Sequence, residues 1–362
     1  MKLARQIGIG LVVGLSFNGA RAAPSAPFFQ GKTIDMVIDD GAGGAPDTEG
    51  RLVARYLPQH IPGKPMIVVH NMPSAGGVVA ANYVGWVAPA DGLTFEYMTA
   101  VALRAALKDP SLKVDLAAMP LIAVLPLPNV VYVRVDYGGG IHRPADILTK
   151  SGFWLAGVSP DNQKDLALRL SMDLLGLDYN YITGYRGTAD GRLAIQRNEA
   201  QVTQESMPGY RTAIEPFVKR GDLTPVWYNA GSSESTGASA DAVKGIPATS
   251  FADFYKAHGT IDTNSELYRA RMVVSSGSEF GRMMVKAPGS PPEALAALQQ
   301  AFAALGDDPA FREDAIKTIQ YVPSYTHGEE IERSLKEELK PDDEIVNFLH
   351  RYIEKGEGLA KR

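Results

Sequence analysis

From about residue 30 onward, short runs of uniformly apolar residues alternate with longer stretches whose apolar residues recur every three or four positions. Ile34 to Ile38, Met66 to Val69 and Leu93 to Met98 are runs of the first kind and read as buried strands. Behind the first, Leu52, Val53, Tyr56 and Leu57 fall on one face of a helix. The pattern then begins again. Phe153 to Val158 reads as a strand, Ser159-Pro160-Asp161 as a helix start, Leu166 to Leu175 as that helix, and Tyr179 to Thr183 and Pro225 to Tyr228 as further strands. Phe280 to Val285 is another apolar segment, after which Pro291 and Pro292 open a helix whose face is Leu295, Leu298, Phe302 and Leu305. Two charged helices, near 329–339 and 344–354, close the chain. Between the two series, Leu121 to Val135 is apolar but contains Pro126 and Pro128, so it reads as an extended crossing segment and not as a helix.

Repeated β-α units imply largely parallel sheets covered by helices, and such sheets bind ligands outside the carboxyl ends of their strands. Small-residue turns stand at those ends. Gly41, Ala42, Gly43, Gly44, Ala45, Pro46 and Asp47 follow the first strand, and Pro73, Ser74, Ala75, Gly76 and Gly77 follow the second. Glycine lets a ligand approach the backbone closely, and the free N–H groups of a helix start favour an anion. We therefore expect these turns to be the two jaws of a carboxylate site. Asp47 reads first as a helix N-cap and second as a ligand contact, and Arg51 as the partner of a nearby acid.

Length and composition add a compartment and a size. With 362 residues, 45% hydrophobic and 21% charged, the chain is an ordinary globular one of about two domains. Lys2 and Arg5, the apolar run Ile7 to Phe17 and the small residues of Ala20-Arg21-Ala22 form a secretory signal over residues 1–22, with an apolar run shorter than the ~20 residues a membrane span needs. Cysteine is absent, so there is no disulfide, thiolate metal site or lipid-accepting cysteine, and soluble export to a bacterial periplasm with the signal cleaved fits best. The formal charge of −5 becomes more acidic once Lys2, Arg5 and Arg21 leave with the signal, which argues against a nucleic-acid partner.

Catalytic patterns are not assembled. Gly41 to Pro46 nearly matches a dinucleotide fingerprint, but Pro46 stands where the third glycine belongs and His70-Asn71 end the second strand where an acid is wanted. Gly31-Lys32-Thr33 precedes its strand, whereas a phosphate loop follows one. The histidines, His60, His70, His142, His258, His327 and His350, show no helical metal spacing, and there is no nucleophile elbow. No cofactor, no metal and no enzymatic activity are expected.

The ordered series Lys32-Thr33-Ile34, Gly43-Gly44 with Asp47 and Arg51, Ile61-Pro62-Gly63-Lys64-Pro65, Val68 to Asn71, Pro73 with Ala75-Gly76-Gly77, Ala80 to Tyr83 and Val87-Ala88-Pro89 with Asp91-Gly92 resembles the N-terminal half of the Bug family, the extracytoplasmic receptors of tripartite tricarboxylate transporters. Gly184-Tyr185-Arg186-Gly187, Leu193 to Arg197 with Glu199, and Ala287 to Pro292 are similar to later landmarks of that family. The resemblance implies an α/β, type II periplasmic binding protein whose two lobes close on a ligand like a hinged clamp. It implies lobe 1 over 30–125, lobe 2 over 126–275, and a return to lobe 1 over 276–362. It also implies a ligand carboxylate gripped by Gly41 to Asp47 and Pro73 to Gly77, with Ser159, Gly187, Thr188 and Ala189 offered by the second lobe. Thr188 also reads as a cap of the helix after it, and Arg186 as a contact for a distal carboxylate.

The implied partners are a small organic acid and the membrane permease subunits, with the receptor a monomer. A sensor on the same scaffold, presenting its closed form to a signalling partner, is the alternative. A periplasmic enzyme is the third reading and needs a nucleophile with its base, or a metal, in the cleft. Against the family's pattern, Ala45 replaces a glycine, Pro46 removes an N–H, Ser74 adds a hydroxyl, and Asp39 and Asp40 bring negative charge beside the anion site. Those carboxylates weaken the site unless they point away, which leaves room for a ligand that carries an amine or no charge.

Overall fold

The computed structural model describes residues 26–99, 101–185, 187–229, 243–259 and 262–360, so the expected signal segment 1–22 and Arg186 lie outside the described residues. In chain order the strands are β1 (Thr33–Ile38), β2 (Met66–Asn71), β3 (Thr94–Met98), β4 (Leu121–Leu125), β5 (Asn129–Arg134), β6 (Phe153–Ala156), β7 (Tyr179–Ile182), β8 (Val202–Ser206), β9 (Leu223–Asn229), β10 (Thr249–Ser250) and β11 (Arg282–Lys286). The helices that position the site are α1 (Ala45–Tyr56), α2 (Val78–Asn82), α3 (Val101–Ala106), α4 (Gln163–Leu174) and α5 (Thr188–Gln196).

Two sheets result. The first has the order β2-β1-β3-β11-β4, with β1 parallel to β2 and β3, and β11 antiparallel to β3 and β4. The second has the order β10-β9-β5-β8-β6-β7, in which β6 runs parallel to β7 and β8 while β5 runs antiparallel to β8 and β9. The apolar runs are uniform because both faces of each sheet are covered. In the first sheet, Met36, Ile38, Phe95 and Phe302 fill one side and Val37, Met98, Val101 and Val285 the other.

The crossing segment expected over Leu121 to Val135 is two strands in different sheets: β4 ends at Leu125 in the first, and β5 starts at Asn129 in the second. The prolines break the run there, because Pro126 and Pro128 supply no N–H to a ladder. The chain returns beside this crossing. The Leu127 N–H donates to the Ser278 carbonyl at 2.8 Å, and the Asn129 amide donates to the Ser278 hydroxyl at 3.2 Å.

The last helix, Asp343–Ala360, packs on the second sheet's side of the molecule, against β7 and the helix Glu266–Ser276. Arg169 of α4 holds it there. This guanidinium, 1% exposed, donates to the Tyr352 carbonyl at 3.1 Å and lies over the rings of Tyr181 and Tyr352. Gly356 makes the approach possible, since a Cβ on it would meet Arg169 Nη1 at 2.4 Å.

Candidate functional site

The turn after β1 leads straight into α1, whose N-cap is Gly44 with Pro46 in the first turn. Asp47 is therefore not the N-cap; it is the third residue of the helix, 3% exposed, and it closes the turn from inside. Its carboxylate accepts from the Gly43 N–H at 2.8 Å, Arg51 Nε at 2.9 Å and Asn71 Nδ2 at 2.8 Å. Burial alone would raise its pKa, but these three donors outweigh burial and hold it below the usual carboxylate value. Asn71 also donates to the Asp40 carbonyl at 2.9 Å and accepts from Arg51 Nη2 at 2.9 Å. The end of β2 is thus tied to the first turn, and the two jaws of the first sheet sit side by side.

Both aspartates that departed from the expected pattern are engaged internally. Asp40 accepts from the Gly41 N–H at 2.7 Å. Asp39 is 6% exposed, accepts from the Thr99 N–H at 2.8 Å and lies under the second jaw. That jaw winds through a left-handed stretch, with φ of 49° at Ala75, 61° at Gly76 and 90° at Gly77. Gly77 is required twice over, since a Cβ there would stand 2.5 Å from Asp39 Oδ2 and 2.6 Å from Val101 Cγ2. Burial raises the Asp39 carboxyl above its ordinary value. Pro73, Ser74, Ala75 and Gly76 are exposed, as are Ala42, Gly43 and Ala45.

The second sheet supplies an opposing wall. A cavity of about 240 Å³ opens between the ends of β6 and β8 and the starts of α4 and α5, with Gly157, Asn162, Lys164, Gly187, Thr188 and Gln204 among its lining residues. Asn162, not the Ser159-Pro160-Asp161 segment, caps α4, accepting from the N–H groups of Lys164 and Asp165. Asp165 shapes the turn by accepting from the N–H groups of Val158 (2.5 Å) and Ser159 (3.0 Å) and from the Tyr181 hydroxyl (2.8 Å). Burial pushes its carboxyl up to about 6 against those donors. Gly157 admits it, because a Cβ would lie 2.6 Å from Asp165 Oδ2. Of the second-lobe candidates, Gly187 and Thr188 line the cavity, while Ser159 stands beside it and Ala189 faces solvent. Thr188 is the first residue of α5, and Gly187 is its N-cap.

The two walls meet at Arg104, a residue the sequence reading did not single out. Its guanidinium lies over Gly76, 3.5 Å from where a Cβ would be, and it reaches across to Asp161 Oδ2 at 3.1 Å. Asp161 in turn accepts from the Ser159 hydroxyl at 2.6 Å. The second jaw of the first lobe and the Ser159 turn of the second are therefore linked through one ion pair. Lys164, Gln204, Arg282 and Glu49 were likewise unmarked by any motif. Arg282 opens β11 and pairs with Glu49 of α1 at 2.8 Å, where the Tyr321 hydroxyl also donates to Glu49 at 2.6 Å. Among the described residues no group of His, Cys, Asp and Glu is placed to hold a metal ion, and no helix is long and apolar enough to cross a membrane.

No protein-family model and no curated protein matches the sequence. Solved structures match its fold. A TctC solute binding protein from Polaromonas, without ligand, is similar over 89% of this chain and 98% of its own, with a TM-score of 0.65 and 18% identity. The periplasmic binding protein BugD covers 91% of this chain and 96% of its own at a TM-score of 0.51 and 17% identity. MatC from Rhodopseudomonas palustris, with bound malate, covers 91% and 98% at a TM-score of 0.52 and 16% identity. The expected two-lobed α/β fold of a periplasmic binding protein is thus the fold of this chain.

Proposed function

We propose that this protein is a periplasmic solute-binding protein that captures a small organic carboxylate between its lobes and delivers it, chemically unchanged, to the membrane subunits of a tripartite tricarboxylate-type transporter. The observation that carries the reading is the convergence of the paired glycine turns after β1 and β2 and the cavity beside α4 and α5, which Lys164, Asn162 and Gln204 help to line, on one interlobe boundary bridged by Arg104 and Asp161. Small exposed turns suit a carboxylate because the backbone N–H groups not already donated to Asp40 and Asp47 bring hydrogen bonds without a second charge to desolvate. The cavity is smaller than the roughly 300–1,000 Å³ typical of drug-sized ligands, which favours a compact acid. Gly41 to Ala45, Pro73 to Gly77, Ser159, Gly187, Thr188 and Ala189 are the proposed contacts, and Asp47 acts on them through the Gly43 and Asn71 hydrogen bonds without touching the ligand. The protein acts as an exported monomer whose signal segment has been removed.

The test is thermal unfolding of refolded, ligand-stripped protein against a panel of mono- and dicarboxylates. A true ligand at a hundred times its Kd stabilises by about 2.7 kcal/mol, several degrees in melting temperature. A panel without a dose-dependent shift on folded protein would sink the reading. Delivery is tested by co-purification with the candidate permease subunits in the presence of that ligand, and export by the N-terminal sequence of the periplasmic protein.

A further inference from the structure

Among the described residues several cations stand near the interlobe boundary, and Arg104 is spoken for by Asp161 at 3.1 Å. Arg192 pairs with Glu205 at 2.7 Å, and Arg282 pairs with Glu49 at 2.8 Å. Lys164 is different. It is the second residue of α4, its backbone N–H donates to Asn162 Oδ1 at 3.0 Å, and its carbonyl accepts from the Gln204 amide. Its side chain helps wall the 240 Å³ cavity, yet among the described residues its ammonium has no hydrogen bond and no ion pair. The neighbouring acids are committed elsewhere, Glu205 to Arg192 and Asp165 to two backbone amides and the Tyr181 hydroxyl.

A half-buried ammonium without an anion is costly, and a cavity wall is where an incoming group could supply one. The surroundings bear this out. Burial lowers the pKa of Lys164, as does Arg282 across the boundary, while Glu205 and Asp165 act the other way without reaching contact. A neutral hydroxyl would satisfy one donor; a carboxylate would also neutralise the charge, in a bond about twice as strong.

We propose that Lys164 sets the charge specificity of the cleft by taking a second carboxylate of the bound acid, so that a dicarboxylate is preferred to the monocarboxylate of equal length. This rests on the carboxylate-binding function proposed above. The first carboxylate belongs to the turns after β1 and β2, and the second projects into the cavity between Lys164, Asn162 and Gln204. The expected preference is about ten- to a hundredfold in Kd.

The experiment is calorimetric titration of the mature chain with matched straight-chain mono- and dicarboxylates of four to six carbons, for the wild type, Lys164→Met and Lys164→Arg. The readout is the ratio of the two affinities at each length. The wild type should favour one or more of the dicarboxylates by the stated factor, Lys164→Met should bring the ratio close to one, and Lys164→Arg should keep most of it. Melting curves check folding, and Lys164→Met should melt no lower than the wild type because it loses an unpaired cation. A wild type that binds both acids equally, or a Lys164→Met ratio unchanged from wild type, overturns the assignment of Lys164 and leaves carboxylate binding standing. A wild type that binds neither acid overturns both.

Discussion

Glu96 occupies the middle of β3 with no exposed surface, and neither of its carboxyl oxygens has a hydrogen-bond partner among the described residues. Its in-register neighbours are Val37 on β1 and Val285 on β11, so both flanks are apolar. Burial, and then the negative charge of Asp39, push its carboxyl well above the ordinary value. Replacing it by methionine keeps the length and removes two buried polar atoms that nothing satisfies. An unsatisfied buried group costs about 1–3 kcal/mol, so Glu96→Met should stabilise the protein by an amount of that order even after some repacking.

The sign of the pH dependence sharpens the test. In the unfolded chain a glutamate ionises above about 4.3, whereas the native Glu96 keeps its proton to higher pH. Between those two values the native state binds the extra proton, so wild-type stability falls as pH rises, by about 1.4 kcal/mol per unit from this group alone. Glu96→Met and Glu96→Gln both lack that slope. Urea unfolding followed by circular dichroism at pH 5, 6 and 7 should show the gap between Glu96→Met and wild type widening with pH, by at most about that amount per unit. Glu96→Gln should share the widening but start from lower stability, because its amide stays unsatisfied. A gap that does not change with pH, or a methionine variant less stable than wild type throughout, would mean that Glu96 is ionised and partnered, and the reasoning would be wrong.

Gly77→Ala places a Cβ 2.5 Å from Asp39 Oδ2 at a φ of 90°, and strain of this kind costs about 1–3 kcal/mol; a lower melting temperature and a weaker ligand response are expected, and a variant matching wild type in both would refute the crowding. Glu49→Leu leaves Arg282 buried without its acid and should lose about 3–5 kcal/mol, whereas the double variant with Arg282→Met should lose less than the sum of the two single losses in urea unfolding; strict additivity would show the pair is not coupled. Lys286 is wholly buried and donates to the Gly92 carbonyl at 2.7 Å, and burial lowers its pKa to about 8. Its contribution is complete above the unfolded value near 10.4 and is lost as pH falls toward 8, so stability should rise between pH 8 and 10 by up to about 1.4 kcal/mol per unit. Lys286→Met should remove that rise.

The strands that could be read from the pattern are short runs rich in β-branched, aromatic and other apolar residues, whether central like β1 and β3 or at a sheet edge like β2 and β7. β1, β2, β3, β6 and β7 lie within two residues of the expected bounds. β8 was not legible, although it is central to the second sheet, because its residues Thr203, Gln204 and Glu205 are polar and buried. They are tolerated there by specific partners: the Ala156 carbonyl for Thr203, Asn229 and the Lys164 carbonyl for Gln204, and Arg192 for Glu205. A strand whose Thr203 and Gln204 line a cavity departs from hydrophobic alternation for the same reason that it is of interest. The glycine turns were legible because their backbone requires small residues. Lys164 and Arg104 were not, since a lone cation on a helix looks the same in sequence whether it faces solvent or the opposite lobe. Asp47 was misread because a cap and a third-position acid differ only in the path of the chain before them, and Pro46 fixes that path.

Two contacts between the lobes differ in kind, and the difference bears on how they could move. Near the crossings, Leu103 of α3 and Leu107 just after it pack with Leu166 and Leu170 of α4, Val274, Leu349 and Tyr352 in one apolar cluster. Shearing that cluster exposes apolar surface at roughly 25 cal/mol per Å². Next to the jaws, the contact is Arg104 with Asp161, each side chain 37% exposed, and such pairs are worth about 0–1 kcal/mol. Of these two contacts, the Arg104–Asp161 pair is the cheaper to part and the apolar cluster the costlier to shear. Parting the pair frees the Gly76 turn from the Ser159 turn. Under the function proposed above, the weak polar contact stands at the ligand's entry and the strong apolar one at the pivot.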